Sequence, residues 1–211
     1  RLQRQYELLG TKQFRSAWER VLKMHREEVV SSVTEELILV DELDREIGCR
    51  PKSECHEGNG MLHRAFSIFI FNERHELLLQ KRSAKKLLWP DYWSNACCSH
   101  PWVGESMEHA VLRRLKQELG FECPLTFLYK FKYHAQYGVV GAEHEYCWVY
   151  YGQYDGTVNP NMDEMADWRF VDIAALEIDL KSSPENYTPW LKMEWSEISN
   201  HYLEELLAPK K

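Results

Sequence analysis

Apolar and polar positions alternate with two different periods along the chain. Residues 11–29 repeat apolar side chains at helical spacing with charged residues between them, which predicts an amphipathic helix. From Glu36 onward short β-prone runs dominate, and residues 65–71 are almost wholly apolar, as expected of a strand covered on both faces. The pattern therefore predicts an N-terminal helical extension, residues 1–33, followed by one mixed domain, residues 34–211.

The remaining periodicity predicts a mixed sheet flanked by helices, an α/β or α+β sandwich. Helices are predicted where an apolar stripe recurs every three or four residues, over 106–119, 172–176 and 191–206. Strands are predicted over 36–41, 65–71, 76–81, 125–134, 145–151 and 166–171. Loops without regular structure are predicted over 44–58 and 87–100.

Composition narrows the class of protein. The chain has 211 residues, of which 44% are hydrophobic and 28% charged, an ordinary soluble globular mixture. A net charge of −7 argues against a nucleic-acid-binding fold. No apolar run approaches the roughly 18 residues of a membrane span, and the N-terminus lacks the apolar segment of a signal peptide. The six cysteines form no Cys-x-x-Cys pair, which predicts reduced thiols in a cytoplasmic enzyme.

The N-terminal extension offers no catalytic signal. Its first 33 residues carry more Lys and Arg than Glu, whereas the rest of the chain is acidic. The apolar stripe of residues 11–29 requires a surface to pack on, either its own domain or a second copy of the chain. The sequence therefore leaves two alternatives open, a monomer and a weak homodimer.

Three histidines and two glutamates occur where the fold can bring them together. Glu143 and Glu145 are two residues apart near the start of a predicted strand, so their carboxylates can point to one side. His56 and His63 precede the apolar strand, and His100 ends a polar run. Three imidazoles and two carboxylates suit a first-row divalent metal with five or six ligands. Each residue alone is more often a solvated or structural polar group, so the prediction depends on their convergence in space.

Cys98 is a candidate for acid/base chemistry. A buried cysteine is more often an inert small hydrophobe than a reactive group. Cys98, however, lies two residues before His100 in a run rich in Ser and Asn. A nearby cation there would favour its thiolate.

The loop and helix over residues 99–121 carry a second motif. Glu105, Arg113, Leu115, Glu118, Gly120 and Phe121 have the spacing of the Nudix box, the signature of a family of diphosphate hydrolases, which this segment resembles. Ser99, Arg114 and Gln117 replace one Gly and two Glu of that box. A hydrolase needs a carboxylate cluster that holds several Mg²⁺ ions and activates water. With two carboxylates replaced, the helix is predicted to bind a diphosphate rather than to cut it.

The order of the motifs over roughly residues 34–195 resembles the type I isopentenyl-diphosphate isomerases, a Nudix-fold family. The matching segments are Leu62-His63-Arg64-Ala65-Phe66-Ser67, Trp89-Pro90, Trp93-Ser94-Asn95, Cys98-Ser99-His100-Pro101, Gly104-Glu105, Glu118-Leu119-Gly120, Tyr133, Glu143-His144-Glu145 and Pro189-Trp190. The resemblance implies a Nudix-type α/β/α sandwich that interconverts isopentenyl and dimethylallyl diphosphate in isoprenoid biosynthesis. Residues 1–33 have no counterpart in it.

The resemblance also implies a role for each candidate residue. One Mn²⁺, Mg²⁺ or Zn²⁺ ion would be held by His56, His63, His100, Glu143 and Glu145, while Glu118 would hold a second ion, Mg²⁺, on the diphosphate. The acid/base groups would be Cys98 and Glu145, with Tyr133 beside the glutamate. The diphosphate would contact Lys52, Arg82, Lys86 and Arg114, and the hydrocarbon would lie under Trp190. No flavin is expected, and the partner is a small-molecule substrate rather than a nucleic acid or a membrane.

Two other functions stay open at this point. A Nudix hydrolase of a nucleoside diphosphate derivative is the main alternative, although such an enzyme has no need of a Cys-x-His pair. A catalytically inactive binding module is the other, and it predicts that removing the Cys98 thiol changes nothing measurable.

Overall fold

Nine strands form one mixed sheet within residues 31–208, the part of the chain that the computed structural model describes. In chain order they are β1 (Glu36–Val40), β2 (Glu46–Pro51), β3 (His63–Phe71), β4 (Leu77–Arg82), β5 (Trp93–Asn95), β6 (Cys97–Ser99), β7 (Leu125–Tyr137), β8 (Gly141–Gln153) and β9 (Met165–Val171). Strand β3 is central, because it pairs antiparallel with β1, β4 and β6 and parallel with β8. The mixed sheet predicted from the sequence is confirmed, whereas the helix predicted over residues 11–29 lies outside the described residues.

The helices connect and cover the strands. They are α1 (Lys52–Cys55), α2 (Met107–Leu119), α3 (Ile173–Ser182), α4 (Pro189–His201) and α5 (Leu203–Leu206), with a 3₁₀ turn at Pro184–Asn186. Helix α2 is bounded as predicted: the Ser106 hydroxyl caps its first turn, and Gly120 ends it at a φ of 75°, a left-handed conformation that suits glycine. Within residues 31–208, no helix is long and apolar enough to cross a membrane.

Strand β3 separates two apolar layers because its side chains alternate between the faces of the sheet. Phe66, Ile68 and Ile70 pack in a core with helix α2. Phe69 and Phe71 face the other way, into a core that contains residues of helix α4. All five side chains are essentially inaccessible to solvent. The layers are therefore helix, sheet and helix, as the sequence predicts, and β3 is buried on both faces.

Three predicted boundaries need correction. The loop predicted over residues 44–58 contains strand β2 and helix α1. Strand β2 lies at the edge of the sheet and is mostly exposed, so it shows no apolar alternation. The loop predicted over residues 87–100 contains β5 and β6, which are three residues each and too short to show a period. The last helix is interrupted at Tyr202, between α4 and α5.

Candidate active site

A cavity of about 230 Å³ lies beside the start of β3. Its wall includes most of the residues singled out in the sequence: Lys52, His56, Arg82, Lys86, Cys98, His100, Tyr133, Glu143, Glu145 and Trp190. They come from α1, the segments around β4 to β6, strands β7 and β8, and the first turn of α4. Residues separated by more than a hundred positions in the chain therefore share one cavity.

Strand register places two of the candidate metal ligands side by side. His63 begins β3 and is the direct partner of Glu145 on the parallel strand β8. Residues two apart on a strand share a face, so Glu143 follows Glu145 onto the same side of β8. His100 comes directly after strand β6, which pairs with β3 on its other edge. The sheet thus brings four of the five candidates to one place, and α1 supplies His56 at its C-terminal end.

The imidazole and carboxylate atoms converge as a metal site requires. One ligand atom from each of His56, His63, His100 and Glu145 lies within 4.8 Å of all the others. The His63 and His100 Nε2 atoms are 3.2 Å apart, and His100 Nε2 is 3.3 Å from Oε1 of Glu145. The four residues are buried, so their convergence is not the chance proximity of surface side chains.

Backbone carbonyls fix which nitrogen of two rings faces the cluster. Nδ1 of His56 lies 2.7 Å from the carbonyl oxygen of Lys52, and Nδ1 of His63 lies 2.7 Å from that of Met61. A carbonyl only accepts, so each Nδ1 carries a proton and each ring turns its Nε2 toward the cluster. This arrangement is the one that holds a metal-binding imidazole in place.

Glu143 completes the set from beside His56. Its Oε2 lies 2.8 Å from Nε2 of His56, but within residues 31–208 this oxygen has no hydrogen bond of good geometry. Burial acts to lower the pKa of His56, but the charge and hydrogen bond of Glu143 outweigh it and the net shift is upward. The two atoms therefore favour a cation between them, either a proton or a metal ion. Burial, followed by the charges of Lys52 and the neighbouring imidazoles, holds the pKa of His100 well below its usual range, so this ring stays neutral and able to coordinate. The residues present therefore fit a divalent metal ion.

Cys98 projects from β6 into the cavity and makes defined hydrogen bonds. Its thiol donates to Oδ1 of Asn95 at 2.9 Å, and its sulfur accepts from Nε1 of Trp190 at 3.1 Å. The Asn95 amide is oriented by donation to the carbonyl of Ile68 at 3.2 Å. Burial raises the pKa of Cys98 to about 12, and the nearby carboxyl of Glu194 adds to the shift. Burial therefore favours the neutral thiol and outweighs the nearby cation, Arg82, which would favour the thiolate.

Glu145 has a second partner besides the histidines. The phenol of Tyr133 donates to its Oε2 at 2.7 Å. Burial, followed by the charge of Glu145, keeps the pKa of Tyr133 well above its ordinary value, so the phenol retains the proton that it donates. Burial acts to raise the pKa of Glu145, but the hydrogen bonds of His63 and Tyr133 outweigh it and the net shift is downward. Glu145 is thus a carboxylate held between a phenol and imidazoles.

Two neighbouring aromatic rings are hydrogen-bonded to the Cys98 thiol and to the Glu145 carboxylate. The Trp190 ring, which is bonded to Cys98, has its centroid 6.4 Å from that of Tyr133, which is bonded to Glu145. Trp89 packs edge-on against Trp190 at 5.3 Å. These rings and Leu88 form one small apolar cluster beside the cavity.

The basic candidates divide into two groups. Lys52, Arg82 and Lys86 line the cavity. Burial, followed by the charge of Lys86, lowers the pKa of Lys52. Arg114 is only 1% exposed, is hydrogen-bonded to Glu118, and lies 3.7 Å from Glu164. The structure therefore does not place Arg114 or Glu118 on the cavity wall, where the sequence had placed a phosphate contact and a second ion.

The sequence assigned no role to two residues near Cys98. Asn95 accepts the hydrogen bond of the thiol. It lies in the matching segment Trp93-Ser94-Asn95, but an Asn in a polar run gives no distinctive signal of that role. Glu194 is fully buried on α4, and burial raises its pKa to about 8. Its signal was present, because Glu194 falls on the apolar stripe of α4 between Leu191 and Trp195, a position that normally holds a hydrophobic side chain.

Comparison with known proteins adds independent information. Residues 61–191 match the NUDIX domain family. The isopentenyl-diphosphate Delta-isomerase 1 of Photorhabdus laumondii is 42% identical over 175 residues, which span 82% of this chain and 99% of the relative. The protein of the same name from Aromatoleum aromaticum is 45% identical over 158 residues, or 75% of this chain and 89% of the relative. The crystal structure of DR0079 from Deinococcus radiodurans has a TM-score of 0.64 at 18% identity, over 80% of this chain and 99% of that one, and so shares the fold.

Proposed function

Because the chain belongs to the isopentenyl-diphosphate Delta-isomerases of the NUDIX domain family, we propose that it interconverts isopentenyl and dimethylallyl diphosphate. The single observation that carries the chemistry is the pairing of Cys98 with Trp190 and of Glu145 with Tyr133 in one cavity. A hydrolase has no use for a buried thiol and a ring-lined wall. An allylic isomerase needs both.

The reaction moves a double bond by one position. A proton is added at one carbon and another is removed two carbons away, and the substrate passes through a tertiary carbocation or close to it. This requires two acid/base groups within reach of the two carbons. Cys98 and Glu145 line the same cavity and are the proposed pair.

The hydrogen bonds support an assignment of the resting protonation states. Cys98 donates its proton to Asn95, whereas Glu145 accepts one from Tyr133. In the direction that starts from this state, Cys98 gives a proton to the alkene and Glu145 receives the second proton. The reaction is reversible, so the two groups exchange these roles in the other direction.

The aromatic wall has two proposed effects. The faces of Trp190 and Tyr133 stabilise positive charge by cation–π attraction, which is worth about 2 kcal/mol when the site is dry. The same rings exclude water, which would otherwise trap the carbocation as an alcohol. Both effects act only while the hydrocarbon fills the cavity.

Lys52, Arg82 and Lys86 are proposed to bind the diphosphate. All three line the cavity, and Arg82 is held by hydrogen bonds to the carbonyls of Trp89 and Leu88 at 3.0 and 2.9 Å. Its guanidinium carbon also lies 5.1 Å from the Trp190 ring centroid. Arg82 therefore connects the charged end of the cavity to its aromatic wall.

A divalent ion is proposed at His56, His63, His100, Glu143 and Glu145, with Mn²⁺, Mg²⁺ and Zn²⁺ as the candidates. When bound, such an ion supplies positive charge beside the Glu145 carboxylate and so strengthens the acid that forms when Glu145 takes up a proton. The predicted Mg²⁺ at Glu118 would need Glu118 to exchange its hydrogen bond with Arg114 for the ion. The six cysteines are all free, which supports the proposal that the enzyme works in a reducing compartment such as the cytoplasm.

The decisive experiment incubates the purified protein with isopentenyl diphosphate, Mg²⁺ and Mn²⁺. We expect dimethylallyl diphosphate to form, with incorporation of deuterium from heavy water. Parallel incubations with nucleoside diphosphate derivatives test the hydrolase alternative. Release of phosphate or of a nucleoside monophosphate, with no allylic product, would overturn the proposal.

A further inference from the structure

A fully buried carboxyl, Glu194, lies on α4 behind the catalytic cavity. It has no exposed surface, and within residues 31–208 its Oε2 has no hydrogen-bond partner. An ionised carboxylate in such surroundings is very costly. Burial raises the pKa of Glu194 to about 8, so at neutral pH this carboxyl holds a proton. The proposed reaction, as described so far, makes no use of that proton.

Ser67 connects Glu194 to Cys98. Its hydroxyl oxygen lies 3.5 Å from Sγ of Cys98 and 3.5 Å from Sγ of Cys147. Cys147 in turn lies 3.5 Å from Oε1 of Glu194, and the Ser67 hydroxyl is close enough to the Glu194 carboxyl to hold its pKa down against burial. Strand register creates the contact, because Ser67 is the direct partner of Cys98 in the pairing of β3 with β6. A hydroxyl that contacts Cys98 and lies close to the Glu194 carboxyl can pass a proton between them.

A proton source behind Cys98 solves a problem that the reaction creates. Once Cys98 has protonated the alkene, a thiolate faces a carbocation across the cavity. A thiolate is a strong nucleophile, and its attack on the cation would form a thioether and end turnover. Water cannot reprotonate the sulfur while the hydrocarbon fills the site.

We propose that Glu194 is a proton reservoir that reprotonates Cys98 through Ser67 during each turnover. This inference rests on the proposed isomerase function. The Glu194 carboxyl gives its proton to the Ser67 oxygen as the Ser67 hydroxyl proton passes to the Cys98 sulfur. Glu194 becomes a carboxylate, Ser67 is unchanged and Cys98 is a neutral thiol, so no further reactant is needed. When product release readmits water, Glu145 loses its extra proton to water, and Cys98 passes a proton back through Ser67 to Glu194 while it takes one up from water, so all three groups return to their starting states.

The other titratable groups near Glu194 do not titrate in the same range. Burial raises the pKa of Cys147 and of Tyr129, and the net shift of Glu145 is downward. Cys98 is raised to a pKa of about 12. Burial also lowers the pKa of Lys52 on the cavity wall, so a change in rate near pH 8 is assigned to Glu194 only when it disappears in the Glu194→Gln enzyme. Since Glu194 touches no substrate and acts through Cys98, it is a positioning residue in this scheme rather than a catalytic one.

The test compares Glu194→Gln with the wild-type enzyme. Gln keeps the shape and hydrogen-bonding capacity of the side chain but releases no proton. We expect kcat to fall at least about tenfold with little change in KM, and the decline of kcat with an apparent pKa near 8 to disappear. Mass spectrometry after turnover should find substrate-derived adducts on Cys98 in the variant and few in the wild type. Glu197→Gln, the same change at a half-exposed position of α4, should behave as the wild type.

Two further measurements keep the test decisive. If Glu194→Gln does not fold, Ser67→Ala interrupts the same path and should reproduce the loss of rate and the adducts. Infrared spectra of the wild type between pH 6 and pH 9 should show a protonated carboxyl band that fades near pH 8. A folded Glu194→Gln enzyme with normal kcat and an unchanged pH profile would overturn the proposal, as would absence of that band. A wild-type protein without isomerase activity would instead overturn the proposed function, since the infrared titration does not depend on activity.

Discussion

The indole nitrogen of Trp190 lies 3.1 Å from the sulfur of Cys98. The same N–H is 2.9 Å from the Ser94 hydroxyl, so it is shared between an acceptor that never changes charge and one that does. As Cys98 loses its proton, the sulfur becomes the better acceptor and the indole bond to it strengthens. One ring can therefore support the sulfur with its edge and the hydrocarbon with its face.

Replacing Cys98 with Ala should abolish turnover while leaving the fold intact. One of two proton-transfer groups is then missing, and general acid catalysis is worth about 10² to 10⁴-fold, so we expect kcat to fall at least about 10²-fold. The rate is measured by formation of dimethylallyl diphosphate, and folding by circular dichroism. The control Cys49→Ala removes a thiol from β2, at the edge of the sheet, and should leave kcat unchanged. A near-normal rate for Cys98→Ala would reject the acid/base role and favour a binding module.

Replacing Tyr133 with Phe should lower kcat and leave KM nearly unchanged. The variant keeps the ring but loses the 2.7 Å hydrogen bond to Glu145, and a bond to a charged group contributes about 1.5–3 kcal/mol. If it acts mainly in the transition state, the loss corresponds to about ten- to hundredfold in kcat. An equal loss in the Tyr133→Phe and Tyr133→Ala enzymes would assign the effect to the phenol, whereas a loss only in the Ala variant would assign it to the ring.

Removing the metal should lower both activity and thermal stability. A ligand that binds only the folded state stabilises it, so a chelator should reduce the melting temperature and added Mn²⁺, Mg²⁺ or Zn²⁺ should restore it. His63→Gln should lower the metal content measured by mass spectrometry, because His63 is one of the four residues whose ligand atoms converge. His134→Gln, at an exposed position on β7, is the matched control. A fully occupied metal site in His63→Gln would contradict the ligand assignment.

Replacing Arg114 with Gln should destabilise the protein strongly. Arg114 is 1% exposed and paired with Glu118 and Glu164. Its removal leaves the buried carboxylate of Glu118 without its cation, whereas Glu164 keeps its ion pair with Lys86. Breaking a buried pair in this way costs about 3–5 kcal/mol, measured by urea unfolding. Arg169→Gln breaks a half-exposed pair with Asp179 and should cost less than about 1 kcal/mol. An Arg114→Gln protein of normal stability but with raised KM would show that Arg114 contacts the diphosphate, as the family resemblance implies.

Glu194 should make stability depend on pH in a recognisable way. Its pKa is raised from 4.5 to about 8 in the folded protein, so the folded state binds more protons than the unfolded state. Its contribution is complete below about pH 4.5 and is lost as the pH rises to about 8, a change on the order of 5 kcal/mol. In Glu194→Gln this loss should be absent, so the difference in free energy of unfolding between the two proteins should shift in favour of the variant across that range. A constant difference would show that Glu194 ionises normally.

The sequence predicted the helices and strands in which buried apolar side chains recur at regular spacing. Strand β3 and helix α2 were found because burial on one or two faces leaves a periodic trace, and Ser106 and Gly120 mark the ends of the helix. Strand β2 was missed because an exposed edge strand is held by backbone hydrogen bonds, which any side chain permits. The secondary structure of such a segment is determined by the strand with which it pairs, rather than by its own sequence.

The features of the site likewise divide into those that the sequence could predict and those that depend on the fold. The histidines and glutamates of the metal cluster were predicted because few residue types can serve as ligands, and the cluster brings four of them together. The phosphate role predicted for Arg114 rested on its place in the helix motif, but the sequence does not show that Glu164 approaches from another segment. The protonation state of Cys98 could not be predicted from the sequence either, because it is set by burial rather than by the neighbouring residues in the chain.

The parallel pairing of β3 with β8 sets His63 directly opposite Glu145 and Ser67 opposite Val149. Adding or deleting a single residue inside either strand would turn every following side chain to the opposite face, and the ion ligands, the acid/base carboxylate and the core would be lost together. The tip between β7 and β8, where Val139 is fully exposed, carries no such constraint. Changes in chain length among natural or engineered variants should therefore be confined to tips of this kind, with the two inner strands fixed to the residue.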